Sequence, residues 1–484
     1  MLVIIGKNSG FPTSRGDIEY NFTATDREPI SLMSQSSSLG TQPISKLLVQ
    51  QAVPASIGIL IMSIYGIVDT IFVGRFVGPM GIGAITVVMP ITFLISSIGM
   101  AIGIGGASVI SRALGAGDRT KAYHTFCNQM GLTLTMAFAA MLAGILFMEE
   151  ILTLFGGKGE ILEPARTYFS ILLPGIPFLA WAMMANNVIR AEGYPRVAMV
   201  AMIIPAVANI ILDPILIIGF DMGMAGAAWA TTISYVSSAL FTCWHFFFGK
   251  SELRLRLSNL LPRLQLIREI FSIGFVTFAR QGAIALLSIV LNNVLFAYGQ
   301  EAGVTIYGMI SRVLMFVNFP VLGMIQGFLP IAGYNYGARN GSRVRSVIRL
   351  AILAGTGVAL SVFILVMVFA GSILSVFTTE QVLIDEGAAA LRIVFLATPT
   401  LCLQMIGSAY YQAIGRAMPA LLLALTKQGF CLIPLLLILP GIFGINGVWW
   451  SFPIADLLSA ALSAAFLTKG YQAVRKLEAL KVVS

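Results

Sequence analysis

Long apolar stretches follow one another along almost the whole chain, and only short polar connections separate them. We count twelve such spans between about residue 46 and residue 470, and each is long enough to cross the hydrocarbon core of a bilayer. Only 11% of the residues are charged, whereas soluble domains carry about 25%. The sequence therefore predicts an all-α polytopic membrane protein with twelve transmembrane helices.

Positively charged side chains fall mainly in alternate connections, so one side of the membrane receives nearly all of them. That side has Arg112, Arg119, Lys121, Arg190, Arg196, Lys250, Arg254, Arg256, Arg263, Arg268, Arg339, Arg343, Arg345, Arg349, Arg416, Lys469, Arg475 and Lys476. The positive-inside rule places this side, and both chain ends, in the cytoplasm. The net charge of +9 reflects this bias, and we expect no nucleic-acid partner. The predicted location is the inner (plasma) membrane.

The two halves of the chain repeat each other. Residues 115–118 match 337–340, 151–155 match 373–377 and 193 matches 415 at an offset of 222, and 223–229 match 444–450 at 221. Each half holds six spans, so both halves enter the membrane in the same orientation and the repeat is parallel. This predicts two pseudo-symmetric six-helix lobes that face each other across a cleft, and rocking of the lobes would alternate its opening.

The repeat and the composition divide the chain into five parts. The predicted parts are a disordered cytoplasmic extension (1–45), a first lobe (46–249), a basic cytoplasmic linker (250–267), a second lobe (268–470) and a cytoplasmic tail (471–484). The extension is rich in Ser, Thr, Gly and charge, which is typical of segments that cannot bury enough apolar surface to fold.

The fifth span contains a carboxylate in an otherwise apolar environment. Asp213 lies in the apolar segment 196–220, where an ionisable group is costly unless it is neutral, paired or next to a polar cavity. Asn209 is one helical turn before it, so the two side chains share a face. Pro205 and Pro214 free backbone carbonyls nearby. These groups indicate a site for a proton or a small hard cation; the alternative is a kinked helix whose Asp only hydrogen-bonds a neighbour.

The repeat shows that this chemistry belongs to one half. The first span carries Asp69, and the positions equivalent to Asp69 and Asp213 in the second half are Leu291 and the neighbourhood of Pro434. A purely structural role would predict similar residues in both halves, so the asymmetry favours a functional role.

Methionine and tyrosine residues share the faces of these carboxylates. Tyr65 is one turn and Met62 two turns before Asp69, and Met202 is two turns before Asn209. Such a face accepts varied organic cations, because thioethers adapt easily to different shapes. The alternative is that each methionine simply fills the core.

The second half has buried charges of its own. We expect Lys427 and Asp456 to form an ion pair within the second lobe, which would satisfy both. We expect Arg312 to bond backbone carbonyls near a helix break.

No pattern typical of an enzyme is present. The sequence has no HExxH, no GxSxG and no His/Asp pair on one helix face, and its cysteines and histidines lack metal-ligand spacing. We therefore expect no enzymatic activity and no cofactor, and the absence of a repeated filter segment disfavours a channel.

At several of these places the chain resembles the MATE (multidrug and toxic compound extrusion) family, in its DinF-like and MepA-like prokaryotic branch. The similar segments are residues 67–74, 111–118, 209–217 and 223–228, and the resemblance extends over about 46–470. It implies twelve helices in two lobes and efflux of drugs or organic cations driven by an H⁺ or Na⁺ gradient.

The resemblance also implies a site in the first lobe. Its coupling residues would be Asp69, Asn209, Asp213 and Thr231, and Tyr168 would be a further site residue. If the ion is Na⁺, Asp69 and Asp213 would be its ligands. Other branches have an acidic residue in helix seven, where this chain has Arg280 and Gln281; this departure, with Lys427 in helix eleven, argues against a simple preference for cations.

The hypothesis from the sequence is a secondary antiporter that exports amphipathic, cationic organic compounds. Its partners would be small-molecule drugs or organic cations and the lipid bilayer, and we expect a monomer. The alternatives are a lipid-linked saccharide flippase, which would need a large cationic cavity, and an intramembrane enzyme.

Overall fold

A computed structural model describes residues 35–253 and 262–483, with side chains described as far as Arg475. These residues fall in one compact unit. Within the described part, every regular element is helical. The core consists of apolar side chains between the helices, and large apolar side chains also cover much of the outside, as expected for a protein whose solvent is lipid.

In the part of the chain that the structure describes, twelve helices cross from one side of the bundle to the other. In the first lobe they are α1 (Ile44–Phe76), α2 (Pro79–Gly115), α3 (Arg119–Leu146), α4 (Gly159–Ala191), α5 (Pro195–Gly219) and α6 (Gly223–Phe248). In the second lobe they are α7 (264–299), α8 (301–337), α9 (Gly341–Leu374), α10 (Gln381–Ala413), α11 (Ala417–Phe443) and α12 (Ile445–Val483). Helices α7 and α8 are continuous in hydrogen bonding and are separated by a sharp bend at Gln300 (φ 50°).

Length and hydropathy identify ten membrane-spanning helices among the described residues, one of which is the 74-residue stretch that contains both α7 and α8. Counting that stretch as two passes and adding the 26-residue helix α6 gives twelve. The predicted all-α fold, with twelve helices in two six-helix lobes, is confirmed.

The repeat is visible in the backbone as well as in the sequence. Residues with positive φ recur at an offset of 222: Gly78 and Gln300, Gly117 and Arg339, and Gly193 and Gly415. L-residues rarely adopt this conformation, so its recurrence marks equivalent turns. The cap of α3 recurs too, because Asp118 Oδ1 accepts from the backbone N–H of Lys121 (2.8 Å) and Asn340 Oδ1 accepts from that of Arg343 (3.3 Å).

We define the basic side as the side on which α2 ends and α5 begins. There the two lobes are in close contact. A Cβ on Gly337 would lie 2.0 Å from the Arg112 carbonyl oxygen, and one on Gly115 would lie 1.9 Å from that of Tyr334. Arg112 also forms an ion pair with Glu269 of α7 (3.0 Å). The passage between the lobes is therefore closed at the basic side.

Part of the predicted disordered extension (1–45) is folded, which corrects that prediction from Gln35 onward. Residues Gln35–Ser37 and Ser38–Thr41 form short helices. Leu39 is fully buried, and Arg343 Nη2 donates to the carbonyls of Leu39 (3.2 Å) and Gln42 (2.6 Å). Gln35 Nε2 also donates to the Gly193 carbonyl (3.3 Å), and Ser36 donates to the Glu252 carboxylate (3.0 Å). One buried apolar side chain and these long-range hydrogen bonds dock the polar segment; residues 1–34 lie outside the described part.

Two other predicted boundaries also shift. The helix α7 begins at Leu264, before the predicted end of the linker at residue 267. Residues 254–261 of that linker lie outside the described part. The helix α12 continues to Val483, through most of the predicted tail (471–484). The first extension is mostly apolar (Leu264–Ile267), and the second is a mixed segment that includes Arg475 and Lys476.

Candidate functional site

Four residues of the first lobe form what we call the acid cluster: Asp69 of α1, Asn209 and Asp213 of α5, and Thr231 of α6. Asp213 and Asn209 are fully buried, and Asp69 is 8% exposed. Asn209 Nδ2 lies 3.4 Å from both Asp213 Oδ1 and Thr231 Oγ1. The carboxyl groups of Asp69 and Asp213 contact each other. The structure thus brings all four predicted coupling residues together.

The local structure of α5 explains half of this arrangement. Asn209 and Asp213 are one turn apart and point the same way. Directly after Asp213, the segment Pro214–Gly219 is a π-helix. Pro214 has no N–H to continue the α-helical ladder, and single π turns within α-helices are frequent at functional sites. The regular helix therefore ends where the buried carboxylate lies.

The acid cluster has unused hydrogen-bonding capacity. Asp69 Oδ1, Asp213 Oδ2 and Asn209 Oδ1 are buried and have no partner among the described residues. No Lys or Arg in the described part forms an ion pair with either carboxyl group. Buried acceptors without donors are unfavourable. The donor set of carboxyl, amide and hydroxyl oxygens fits a proton or a small hard cation such as Na⁺.

A cavity of about 410 Å³, which we call the acid cavity, opens beside the cluster. Asp69 and Thr231 line it, as do three of the predicted substrate residues, Met62, Tyr65 and Tyr168. Tyr168 and Thr231 lie on the same wall of the cavity. The volume suits a drug-sized molecule. Asn209 and Asp213 lie behind this wall, so a ligand would reach the cluster through Asp69 and Thr231.

Met202, the fourth predicted substrate residue, does not line the acid cavity. It lines an adjoining cavity of about 310 Å³ toward the basic side. Its sulfur accepts a hydrogen bond from Arg190 Nη2 at 3.3 Å. Two helical turns move a side chain about 10 Å along the axis, which is enough to place Met202 in the next compartment.

Tyr235, Met100 and Met183 also line both cavities, and sequence reasoning did not identify them. Tyr235 is one turn after Thr231, so helical spacing on α6 could have found it. The two methionines belong to α2 and α4, and nothing in their sequence context separates them from core methionines.

The charges of the second lobe have different surroundings. Lys427 and Asp456 form an ion pair, so the predicted pairing is confirmed. The expectation for Arg312 is wrong: its side chain is exposed, and it donates to no backbone carbonyl among the described residues. The reason is that α8 is regular at this position, so its carbonyls are already used within the helix.

The sequence match to the MatE family covers residues 54–215 and 279–438, which is one stretch in each lobe. Together these stretches make up about two thirds of the chain.

The chain belongs to the MATE family.

This MATE-family chain is 32% identical over 444 residues to the "Multidrug export protein MepA" of Staphylococcus saprophyticus, which covers 89% of this chain and 95% of the relative. It is 29% identical over 418 residues to the MepA protein of Staphylococcus aureus strain MRSA252, covering 86% and 92%. Among solved structures, it matches the "Outward-facing conformation of a multidrug resistance MATE family transporter of the MOP superfamily" with a TM-score of 0.86 at 26% identity, covering 91% of this chain and 99% of the other. These MATE proteins support a membrane transporter with small-molecule substrates.

Proposed function

We propose that this chain is a secondary active antiporter that exports amphipathic, cationic organic compounds in exchange for H⁺ or Na⁺. The observation that carries the proposal is the contact between two carboxyl groups, without a cationic partner in the described residues, beside a drug-sized cavity that the first lobe lines together with Gln281 of the second. The printed names of its relatives, multidrug export proteins, agree with such a substrate class.

Asp69 and Asp213 would bind the coupling ion. Two carboxylates in contact repel each other in an apolar environment, and a shared proton or a sodium ion removes that repulsion. Asn209 and Thr231 would contribute neutral oxygens. The unpartnered oxygens of Asp69, Asp213 and Asn209 are available for this purpose.

The wall of the acid cavity would bind the organic cation. Tyr65 and Tyr168 offer ring faces, which attract cations, and Met62 adapts to varied shapes. An ion on Asp69 neutralises the charge that attracts the drug. The ion would then bind one arrangement of the lobes more tightly, and the drug would bind the other more tightly. These opposite preferences would couple export of the drug to entry of the ion.

The charge distribution supports an orientation in the membrane. By the positive-inside rule the basic side would be cytoplasmic; both termini would then lie in the cytoplasm, and we propose the plasma membrane as the location. Since the lobes touch at the basic side, this structure would represent an arrangement that is open to the outside.

The test uses purified protein in vesicles, with a pH gradient and a Na⁺ gradient imposed separately. Addition of an organic cation such as ethidium should collapse one of the two gradients, and the gradient that collapses identifies the coupling ion. Asp213→Asn should abolish the effect, whereas the exposed acid Asp385 of α10 provides a matched control, Asp385→Asn, that should behave as wild type. If neither gradient responds to any cation, antiport is rejected.

The alternative flippase function predicts a different result. A lipid-linked saccharide flippase would move its substrate without consuming either gradient, and it would not depend on Asp213. The buried acid cluster favours antiport, because a polyanionic lipid substrate would be repelled by it.

A further inference from the structure

The cavity that contains Met202 has a different polarity from the acid cavity. We call it the arginine cavity, because Arg190 of α4 and Arg280 of α7 line it. It shares Met62, Met183 and Tyr235 with the acid cavity. The two cavities therefore form one passage between the lobes, with a carboxylate at one end and two guanidinium groups at the other.

The positive charge of the arginine cavity is not compensated. Its lining includes no Asp or Glu. Among the described residues, neither Arg190 nor Arg280 forms an ion pair with a carboxylate. Buried charges are normally paired, because removal from water is costly. Two unpaired guanidinium groups in one interlobe cavity are therefore unexpected for a purely structural role.

Arg190 has a donor without an acceptor. Its side chain is only 3% exposed. The Nε atom donates to Asn186 Oδ1 (2.9 Å) and the Nη2 atom donates to the Met202 sulfur (3.3 Å). The Nη1 atom is buried and has no partner among the described residues. Guanidinium groups prefer the paired oxygens of a carboxylate or phosphate, so a ligand with such a group would satisfy Nη1.

Arg280 strengthens this argument from the other lobe. Its side chain keeps access to the cavity and is half-buried. No hydrogen bond joins it to another side chain in the described part. Arg190 alone could be explained by a structural role, because its hydrogen bonds to Asn186 of α4 and Met202 of α5 link the two helices. Arg280 has no comparable structural contact, and it faces the same cavity.

We infer that Arg190 and Arg280 form an anion-binding subsite, which takes the carboxylate or phosphate group of an amphiphile that lies along the passage. A cationic group of the same molecule would lie toward Asp69, with its apolar body against Met62 and Met183. The inference rests on the proposed function, since it treats the passage as the substrate cavity. It extends the substrate class from simple cations to zwitterionic amphiphiles.

The experiment compares a rhodamine dye that carries a free carboxylate with the methyl ester of the same dye. The ester removes the anionic group and leaves the cationic ring system unchanged. Fluorescence anisotropy measures the binding of each dye to the purified full-length protein in neutral detergent. Arg280→Gln should weaken binding of the carboxylate dye about tenfold, because it removes a charge-assisted contact, and should leave the affinity for the ester within about twofold.

Arg312→Gln is the matched control, since Arg312 belongs to the same lobe but is exposed and outside the cavity. It should change the affinity for neither dye. Arg190→Lys keeps the charge and should retain more carboxylate binding than Arg190→Gln; thermal unfolding of both variants identifies any loss of folding. The inference is overturned if Arg280→Gln affects the two dyes equally or affects neither.

A second arm identifies the source of the anion. Added phosphatidylglycerol should displace the carboxylate dye, and not the ester, if the subsite holds a lipid phosphate. If the affinity for the carboxylate dye does not change, the occupant is a soluble amphiphile; either result supports the anion subsite. Binding is measured without any ion gradient, so a failure of antiport in vesicles would leave this result unaffected.

Discussion

In the first lobe, Asp69 and Asp213 contact each other and no Lys or Arg of the described residues pairs with them, whereas in the second lobe Asp456 is paired with Lys427. The repeat makes the comparison direct, because the first-lobe position equivalent to Lys427 is Pro205. The duplication preserved turns and caps in both lobes. Buried charge diverged: the Lys427–Asp456 pair is balanced within the second lobe, whereas we propose that a bound ion balances the two carboxyl groups of the first lobe.

A second pair of equivalent positions shows the same difference. Arg190 of the first lobe corresponds to Gln412 of the second, at an offset of 222. Gln412 Nε2 donates to the Ile273 carbonyl (3.2 Å) and to Thr277 Oγ1 (3.0 Å). Within the described part of the chain, Arg190 Nη1 has no partner. In both comparisons, the first lobe carries the group that has no partner among the described residues.

The largest expected effect comes from removing a carboxyl group of the first lobe. Asp69→Asn should lower export by about 100-fold or more, since an amide cannot alternate between a charged and a neutral state and the coupling step is lost. The measurement is drug efflux from cells at matched protein level. The double variant Lys427→Gln/Asp456→Asn should retain efflux, and loss of efflux there would show that the second lobe also couples.

The next effect concerns stability in the second lobe. Asp456→Asn leaves Lys427, whose side chain is only 18% exposed, without its partner and should lower the free energy of unfolding by about 3 kcal/mol. Thermal unfolding in detergent measures the change. The double variant Lys427→Gln/Asp456→Asn should recover most of the loss, because neither charge remains. Equal destabilisation by the single and double variants would mean that the pair is not what stabilises this region.

A smaller effect should follow from disturbing the contact between the lobes at the basic side. In Gly337→Ala, the new Cβ would lie 2.0 Å from the Arg112 carbonyl oxygen, so the lobes must separate there at a cost of about 2 kcal/mol. Gly308→Ala on the same helix meets no atom within 4 Å and is the control. Distances between spin labels on the two lobes should increase only in Gly337→Ala; unchanged distances would refute the contact.

The last effect is a pH dependence, and it concerns the loop between α4 and α5. Glu192 is buried and accepts from Ser251 Oγ and from the backbone N–H groups of Glu252 and Leu253. Burial raises the pKa of Glu192 from 4.5 to about 7. The folded state therefore binds this proton more tightly than the unfolded chain.

Stability should accordingly fall as the pH rises from about 4.5 to about 7 and should stay level above that range. Glu192→Gln keeps an acceptor oxygen and should remove this slope. Thermal unfolding across the pH range is the measurement. A slope that persists in the variant would assign it to another group.

Much of the fold could be predicted because the signals are local. Apolar spans, the 222-residue repeat and the shared face of Asn209 and Asp213 all depend on neighbours in sequence. The docking of Gln35–Thr41 could not be predicted in this way. That segment has the composition of a disordered one, and it is held by Leu39 burial and by donors from Arg343, about 300 residues away in the chain.

The sequence by itself determined the membrane class, the twelve helices, the two lobes and the carboxylates of the first lobe, because the lengths and periods of helices are set by local chemistry. Tertiary structure alone decided that Asp69 meets Asp213, that Met202 lies beside Arg190, and that Arg280 faces the passage. The physical reason is that the rotation of each helix about its axis, and the angle at which it crosses its neighbours, depend on packing between helices. A small rotation of a helix is enough to move a side chain from one cavity to the next, or from the lipid into a cavity.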